Sequence, residues 1–338
     1  MCFLQKAATN NAKTMVDATI AEKFDIKVIL SSTSSNTIRI ADLGCSVGPN
    51  TFTSVQNIID AVQNKYLQSE GPAYRIPEFH VFFNDHVSND FNVLFTSLPP
   101  DRQYFAAGVP GSFYSRLFPE SSLHFVHSSY AIQWLSKVPE ELLNKNSKAW
   151  NKGRIHYTSA PDEVIEVYAA QFAKDMTTFL EARSKELVVG GMMVLIMPGI
   201  ANGIAHSDDP VGLMFNFLGS SLIDMVKEGL ISEDQVDSFN IPVYTASARE
   251  ITKLVEKNGC FSIEIIDLTL SRSVASANGQ DCTMHMRAGM EGIISKHFGS
   301  EIIDELFDRF HKKTEELLYL LESRTKEGSQ LLVILKRK

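Results

Sequence analysis

The sequence predicts an α/β protein built on a mostly parallel β-sheet with helices on both faces. Strand patterns and helix patterns alternate along its 338 residues. The strand segments are nearly continuous apolar runs, which is typical of strands that are buried on both faces. These segments are TIRIADL, EFHVFFND, SLHFVHSSY, MMVLIMPG, CFSIEIIDL and QLLVILKRK.

Helical periodicity fills the intervals between these strands. The segment TASAREITKLVEKNG also carries common boundary signals, since it begins with Thr and Ser and ends with Gly. The other segments with helical spacing are VQNIIDAVQNKYLQ, DFNVLFTSL and VIEVYAAQFAKDMTTFLEARSKELV.

Two segments, 201–240 and 272–328, interrupt the alternation of strands and helices. The first is rich in Met, Phe and Leu, and the second starts with a Ser/Asn/Gly loop followed by helical patterns. We interpret both as helical additions that form a cap over one end of the sheet. The remaining residues, 1–200, 241–271 and 329–338, are predicted to form the α/β core.

Composition and charge exclude several classes of function. The formal net charge of −8 argues against nucleic acid as a partner, because such binding depends on clustered Lys and Arg. The four cysteines form no C-x-x-C pair, so neither a zinc knuckle nor a disulfide framework is indicated, and a reducing cytoplasm is the simplest compartment. The sequence contains neither an apolar run of membrane-spanning length nor a signal-peptide pattern.

The Gly-rich turn in IRIADLGCSVGPNT is open to three interpretations. Its GCSVG matches the G-x-S-x-G pattern in which Ser46 would be a hydrolase nucleophile. That reading needs a later acid and histidine at strand ends, whereas His206 and His285 fall in the predicted cap. The turn follows the first strand, Asp42 ends that strand and Asp85 ends the next, which favours a nucleotide-cofactor site. A structural turn without a ligand is the third interpretation.

Five motifs resemble those of the plant SABATH methyltransferases. This family includes carboxyl methyltransferases of salicylate, jasmonate, indole-acetate and farnesoate, and N-methyltransferases of the caffeine pathway. The resemblance covers essentially the whole chain. It implies a class I methyltransferase fold with a seven-stranded, Rossmann-like sheet, S-adenosylmethionine as methyl donor, a helical cap and commonly a homodimer. The motifs are ADLGCSVGPNT, FNDHVSNDFNVLF, GVPGSFYSRLFP, LHFVHSSYAIQWLSKVP and DSFNIPVYTASAREI.

The resemblance also implies residues that bind the donor. The methionine side is assigned to Asp42, Cys45 and Asn50. The ribose is assigned to Asp85, with His86 beside the adenosine, although relatives often have Leu at the position of His86. The adenine is assigned to Ser112 and Phe113, and Ser129 is expected to close the pocket.

The acceptor site is assigned by the same resemblance to the motif SSYAIQW. Trp134 and Gln5 are expected to donate hydrogen bonds to the acceptor carboxylate. Tyr130 lies four residues before Trp134, so the two rings would share a face if this segment were helical. Three other residues are expected to wall the pocket: Gln133, Phe215 and Met286.

The expected chemistry is methyl transfer by in-line displacement without a general base, because a carboxylate is already ionised at pH 7. Met214, Phe215 and Gly328 suggest a long apolar acid, such as a terpenoid or fatty acid. The alternative acceptor is a xanthine or purine nitrogen. Purine-methylating relatives typically have His where this chain has Gln133.

Two further expectations come from the resemblance. A magnesium ion is assigned to Asn151, Asp237, Asn240 and the backbone carbonyl of Phe239, although a capping role for Asp237 is an alternative. Relatives also begin with a longer segment, and the present MCFLQ start has Met1 and Cys2 where Asn and Ser are common. We therefore expect weakened closure over the donor.

Overall fold

The fold centres on one β-sheet, seen in a computed structural model that describes residues 3–31, 36–70, 76–269, 278–320 and 329–338. The strand order is β3-β2-β1-β4-β5-β8-β7, and the short β6 pairs with β5. The strands are β1 (Thr37–Leu43), β2 (Glu78–Asp85), β3 (Phe105–Pro110), β4 (Leu123–Ser129), β5 (Leu187–Ile200), β6 (Ala246–Ser247), β7 (Phe261–Thr269) and β8 (Gln330–Arg337).

The predicted parallel arrangement is confirmed for most of the sheet. Strands β1 to β6 pair in parallel, whereas β8 is antiparallel to both β5 and β7. Strand β1 pairs with β2 on one side and with β4 on the other, so the strand order reverses at β1. This change of direction creates a crevice at the carboxyl ends of the strands, where α/β sheets bind ligands.

Helices connect most of these strands. Helix α8 shows the boundary signals predicted from sequence: Ser247 and Glu250 form a capping box, and Gly259 ends the helix with φ of 72°. The helices are α1 (Phe3–Lys23), α2 (Ile26–Ser31), α3 (Pro49–Glu70), α4 (Phe91–Thr96), α5 (Asp162–Glu186), α6 (Pro210–Lys227), α7 (Glu233–Asp237), α8 (Ala248–Asn258), α9 (Gly279–Phe298) and α10 (Ile303–Glu316).

Separate apolar clusters cover the two faces of the sheet. In β1, Ile38 and Ile40 belong to a cluster with α1 and α3, whereas Ala41 and Leu43 belong to a cluster with α5 and α8. Alternate side chains of a strand point to opposite faces, so both faces of this strand are buried. The expectation of helices on both faces is therefore confirmed.

A third apolar cluster joins α6, α9 and α10. We call it the cap cluster; it includes Phe215, Met286, Ile294 and Phe307. Trp134, which follows β4, packs against this cluster. The helices of 201–240 and 278–316 thus share a core, although the exact division between core and cap stays a prediction.

The edge strand β3 was missed by the sequence analysis. Its segment, FAAGVP, has no fully buried residue, and Phe105 is exposed. Four of its six residues are Ala, Gly or Pro, which have low strand propensity, so the segment gives a weak strand signal. Within the described ranges, no helix has the length and apolarity to cross a membrane.

Candidate active site

The predicted donor residues lie at the carboxyl ends of four neighbouring strands. Because β3, β2, β1 and β4 are adjacent and parallel, these ends meet at one edge of the sheet. By strand, the residues are Asp42, Cys45 and Asn50 at or after β1, Asp85 and His86 at the end of β2, Ser112 and Phe113 after β3, and Ser129 at the end of β4.

The Asp42 carboxylate is held by two polar side chains. Asp42 is only 3% exposed; its Oδ1 accepts a hydrogen bond from His127 Nδ1 at 2.6 Å, and its Oδ2 accepts one from the Thr51 hydroxyl. A carboxylate offers about four acceptor positions, so two remain after these bonds. The group is therefore fixed in orientation and can still accept from a cationic ligand.

A second carboxylate, Asp85, holds the Gly-rich turn. Its Oδ2 accepts from the Ser46 backbone N–H at 2.7 Å, and its Oδ1 accepts from the His86 N–H at 2.7 Å. Ser46 has φ of 52°, and its carbonyl accepts from Asn89 Nδ2 at 3.2 Å. The backbone of Ser46 thus fastens the end of β1 to the end of β2.

Asn84, which the sequence analysis did not single out, ties three chain segments together. Its carbonyl accepts from the N–H groups of Gly44 and Cys45 at 2.8 and 3.0 Å. Its Nδ2 donates to the carbonyls of Val109 and Gly111 at 2.7 and 2.9 Å. The only signal in the sequence is a polar residue at the end of the apolar run EFHVFFND.

The Gly-rich turn, the residues after β3 and the residues after β4 meet at Gly44. This residue has φ of 79°, and a Cβ placed on it would lie 2.2 Å from the Ala131 Cβ and 3.7 Å from Phe113 Cε1. Only glycine combines this conformation with this close approach. The turn therefore depends on Gly44 for both its shape and its packing.

The other residues predicted to bind the methyl donor differ in their exposure to solvent. Burial, together with the negative charges of Asp42 and Asp85, raises the pKa of the Cys45 thiol. The thiol is therefore neutral at physiological pH and suited to packing, not to nucleophilic attack. Asn50 is half-buried in the first turn of α3, whereas His86 is exposed.

The acceptor motif is not helical, so the expectation of a shared helical face for Tyr130 and Trp134 is wrong. Tyr130 has φ of 53°, and its hydroxyl donates to Gln330 Oε1 at 3.1 Å. Trp134 instead forms a β-bridge with Val243. Pairing with this distant segment prevents a local helix. The Tyr130 and Trp134 rings therefore do not share a face, and they pack against different apolar clusters.

The other acceptor residues surround this motif or lie in the cap cluster. Gln133 is buried, and its Oε1 has no partner among the described residues. Phe215 and Met286 are both buried in the cap cluster, and the Phe215 ring lies 4.4 Å from that of His156. Gln5 lies within α1, but its side chain is outside the described part of the structure, as are Met1, Cys2 and Gly328.

The predicted magnesium residues form a polar junction between 151–153 and 237–240. Asn151 Nδ2 donates to Asn240 Oδ1 at 2.8 Å, and the Gly153 N–H donates to Asp237 Oδ1 at 2.7 Å. Asn151 Oδ1 is buried and has no partner among the described residues, and Phe239, the residue before Asn240, is also buried. Across the ranges that the structure describes, no group of three His, Cys, Asp or Glu side chains is arranged to hold a metal ion.

The geometry does not support a serine hydrolase. The buried histidine–aspartate pair, His127 and Asp42, is already bonded to Thr51, and no described histidine bonds to the Ser46 hydroxyl. A nucleophilic serine requires such a base within hydrogen-bond reach. The parallel sheet instead has the Rossmann-like arrangement, and Asp42 and Asp85 at the ends of adjacent strands favour a nucleotide cofactor at this edge.

Comparison with known proteins gives the particular family. A family model described as SAM dependent carboxyl methyltransferase matches residues 2–338, and the chain belongs to this family. It is 45% identical to loganic acid O-methyltransferase of Catharanthus roseus, covering 100% of this chain and 90% of that protein. It is 39% identical to farnesoic acid carboxyl-O-methyltransferase of Arabidopsis thaliana, covering 98% and 93% of the two chains.

A solved structure agrees with this result. The structure of loganic acid methyltransferase with SAH matches with a TM-score of 0.94 and 45% identity, covering 99% of this chain and 94% of that one. The predicted family and class I methyltransferase fold are confirmed. The chain is an S-adenosylmethionine-dependent carboxyl methyltransferase, as predicted.

Substitution of Gly44 tests the close approach at the turn. Gly44→Ala should destabilise the protein by about 1–3 kcal/mol and weaken donor binding, because the added methyl overlaps Ala131 and the backbone is strained. Chemical denaturation and titration calorimetry measure the two effects. Gly48→Ala is the matched control, since no described atom lies within 4 Å of its added Cβ. Equal behaviour of the two variants would contradict this role for Gly44.

Paired substitutions at Ser46 and Asp42 separate the cofactor interpretation from the hydrolase interpretation. Ser46→Ala should retain much of the methyl-transfer activity, because the loop uses the backbone of this residue. Asp42→Ala should abolish donor binding in calorimetry, because the carboxylate is removed from the donor site. Circular dichroism checks that both variants are folded. Covalent labelling of Ser46 by a fluorophosphonate would refute this assignment.

Proposed function

We propose that this methyltransferase esterifies the carboxylate of a long, apolar plant acid such as a terpenoid or fatty acid. The observation that carries this proposal is the position of Trp134. Its backbone follows the donor edge and pairs with Val243, while its half-buried side chain packs against the cap cluster. This backbone position and this side-chain packing support a role for the indole at the boundary between the predicted donor site and the cap cluster.

The donor site fits S-adenosylmethionine in charge and position. The Asp42 carboxylate has acceptor capacity left for the ammonium of the methionine part, and Asp85 has capacity left for the ribose hydroxyls. Phe113, beside Gly44, offers an aromatic side chain to the adenine. When bound, the donor supplies a methyl group on a positively charged sulfur. The chain's task is to orient it.

The acceptor needs positioning, not activation. A carboxylate is ionised at pH 7, so no residue has to remove a proton. We assign the Trp134 indole N–H and the Gln5 amide to hold the two carboxylate oxygens. Holding the attacking oxygen in line and excluding water with the cap would then account for the rate.

The apolar cap cluster supports the choice of acceptor. Met214, Phe215 and Met286 are each about 3% exposed and bring no charge to this wall. If these residues wall the acceptor pocket, as the family resemblance implies, they favour a hydrocarbon body over a polar ring. The two relatives described above are named for loganic acid and farnesoic acid, which are both carboxylic acids.

N-methylation of a purine is the second candidate, although purine-methylating relatives typically have His at the position of Gln133. Its buried Oε1 lacks a partner within the described structure, and an N–H of the acceptor would satisfy it. A hydroxyl group on a carboxylic acid would do the same. The nature of the methylated product therefore separates the two candidates.

An acceptor panel with radiolabelled S-adenosylmethionine tests this proposal. We expect organic-extractable, base-labile label with long apolar acids, because a methyl ester is both apolar and hydrolysed by base. Salicylate and xanthines are the matched comparisons. Turnover restricted to small aromatic acids would contradict the apolar acceptor, and base-stable label on xanthine would contradict ester formation.

A bound magnesium ion is a further proposal at the junction of Asn151, Asp237 and Asn240. The donor set is oxygen-rich, and a cation would satisfy Asn151 Oδ1, which has no partner among the described residues; the buried Nδ2 of Asn240 also lacks a described partner, and a cation would not satisfy it. Its role would be structural, because this junction is separate from the donor edge. A cytoplasmic homodimer is also proposed, on the family resemblance and the cysteine usage.

The magnesium proposal predicts a stability effect. Removing divalent ions should lower the Tm of the natural protein by several degrees, and Asp237→Asn should remove this dependence, because the only carboxylate of the site is lost. Asp234→Asn in the same helix is the control, since Asp234 is exposed and pairs with Lys145. An identical Tm with magnesium and with chelator would refute the site.

A further inference from the structure

The chain between β3 and β4 contains an irregular loop that borders both predicted binding sites. We call residues 112–118 the bridging loop. It begins with Ser112 and Phe113, the predicted adenine contacts, and has no helix or strand of its own. The backbone groups of such a loop need partners from elsewhere in the fold.

A buried arginine from α5 donates hydrogen bonds to the carbonyl groups of this loop. Arg183 is fully buried, and its Nη1 and Nη2 donate to the carbonyls of Phe113 and Ser115 at 2.7 and 2.9 Å. Its Nε donates to Glu186 Oε2 at 2.7 Å. Three different nitrogens of the guanidinium therefore have three different acceptors, a geometry that lysine cannot reproduce.

The carboxylate that pairs with this arginine accepts hydrogen bonds from the N–H groups of the loop. Glu186 is also fully buried, and its Oε1 accepts from the N–H groups of Leu117 and Phe118 at 2.6 and 3.0 Å. Burying two charges is costly unless further hydrogen bonds satisfy them. Here those further bonds all go to the bridging loop, so the ion pair and the loop conformation depend on each other.

The bridging loop also reaches the acceptor motif through Tyr114. The Tyr114 hydroxyl donates to the Trp134 carbonyl at 2.6 Å and lies 3.1 Å from the Ile132 carbonyl. Its ring packs on that of Phe113, with centroids 4.8 Å apart. Burial and the charge of Asp175 raise the pKa of Tyr114, so the phenol keeps the proton that it donates.

We propose that the bridging loop, held by Arg183 and Glu186, is a positioning element that sets Trp134 relative to the donor, with Tyr114 as the link. Phe113 is a predicted contact of the methyl donor, and the next residue, Tyr114, holds the backbone of Trp134. One short segment therefore fixes the position of Phe113 and of Trp134. In-line transfer is sensitive to misplacement on the ångström scale, which gives this link a catalytic consequence. The inference rests on the proposed roles of Phe113 and Trp134.

Tyr114→Phe is the central test, because it removes one hydroxyl and keeps the ring. We expect kcat/KM for the acceptor to fall about tenfold, the order expected for one lost hydrogen bond in a positioning role. The Kd for S-adenosylhomocysteine, measured by calorimetry, should stay within about twofold, because the ring on Phe113 is retained. Tyr168→Phe is the matched control, since its buried hydroxyl donates to the Ile241 carbonyl outside the loop.

Arg183→Lys tests the other end of the same element. It keeps a positive charge, but a single ammonium nitrogen cannot reach the three separate oxygens that the Arg183 nitrogens bond, so it should weaken both S-adenosylhomocysteine binding and turnover of the methyl acceptor. Thermal unfolding is measured in parallel to identify the folded fraction. If Arg183→Lys does not fold, Tyr114→Phe alone decides the question.

The outcomes separate this inference from the proposed function. Unchanged acceptor kinetics in Tyr114→Phe, or an equal loss in Tyr168→Phe, would overturn the positioning role. If Trp134→Ala lowers acceptor kcat/KM while Tyr114→Phe does not, only the inference fails. If Trp134→Ala also leaves acceptor kinetics unchanged, the proposed acceptor site and the inference fail together.

Discussion

The site depends on one constraint: backbone polar groups at the carboxyl edge of a parallel sheet lose their ladder partners where the strands end, and they must find others. Asn84 and Asp85 accept hydrogen bonds from backbone N–H groups of the turn after β1, and the Ser128 hydroxyl donates to the Leu43 carbonyl at 2.9 Å. The bridging loop is served by Arg183 and Glu186. The residues that shape the site are thus mostly those that complete the hydrogen bonding of its loops.

This constraint gives the candidate site its rigidity. Asp42 is fixed by His127 and Thr51, and the bridging loop is fixed by a buried ion pair. Fixed dipoles and charges cost little reorganisation when the reaction occurs, which is how a binding site contributes to rate. An enzyme that only has to align an ionised oxygen with a methyl carbon can derive most of its advantage from such preorganisation.

The sequence predicted local features well and long-range partners poorly. Apolar runs predicted six of the strands, and Asp42 and Asp85 lie at or next to strand ends, as predicted. His127 and Arg183 were missed because their partners lie 85 and 70 residues away in the chain. The helical interpretation of the Tyr130–Trp134 spacing failed for the same reason, since Val243 decides the conformation there. β3 was missed because its segment is rich in Ala, Gly and Pro, which have low strand propensity.

The G-x-S-x-G pattern shows why a short motif needs its surroundings. A nucleophile elbow and this cofactor turn both leave a strand sharply, and Ser46 here has the positive φ that such a reversal requires. The pattern therefore reports backbone shape, which both functions share, and leaves the chemistry undetermined. The chemistry depends on the partners of the turn. The Ser46 N–H donates to the Asp85 carboxylate, and the buried His127 bonds to Asp42 and not to the Ser46 hydroxyl. A serine in this position contributes its backbone N–H and carbonyl, and those two groups do not depend on its hydroxyl.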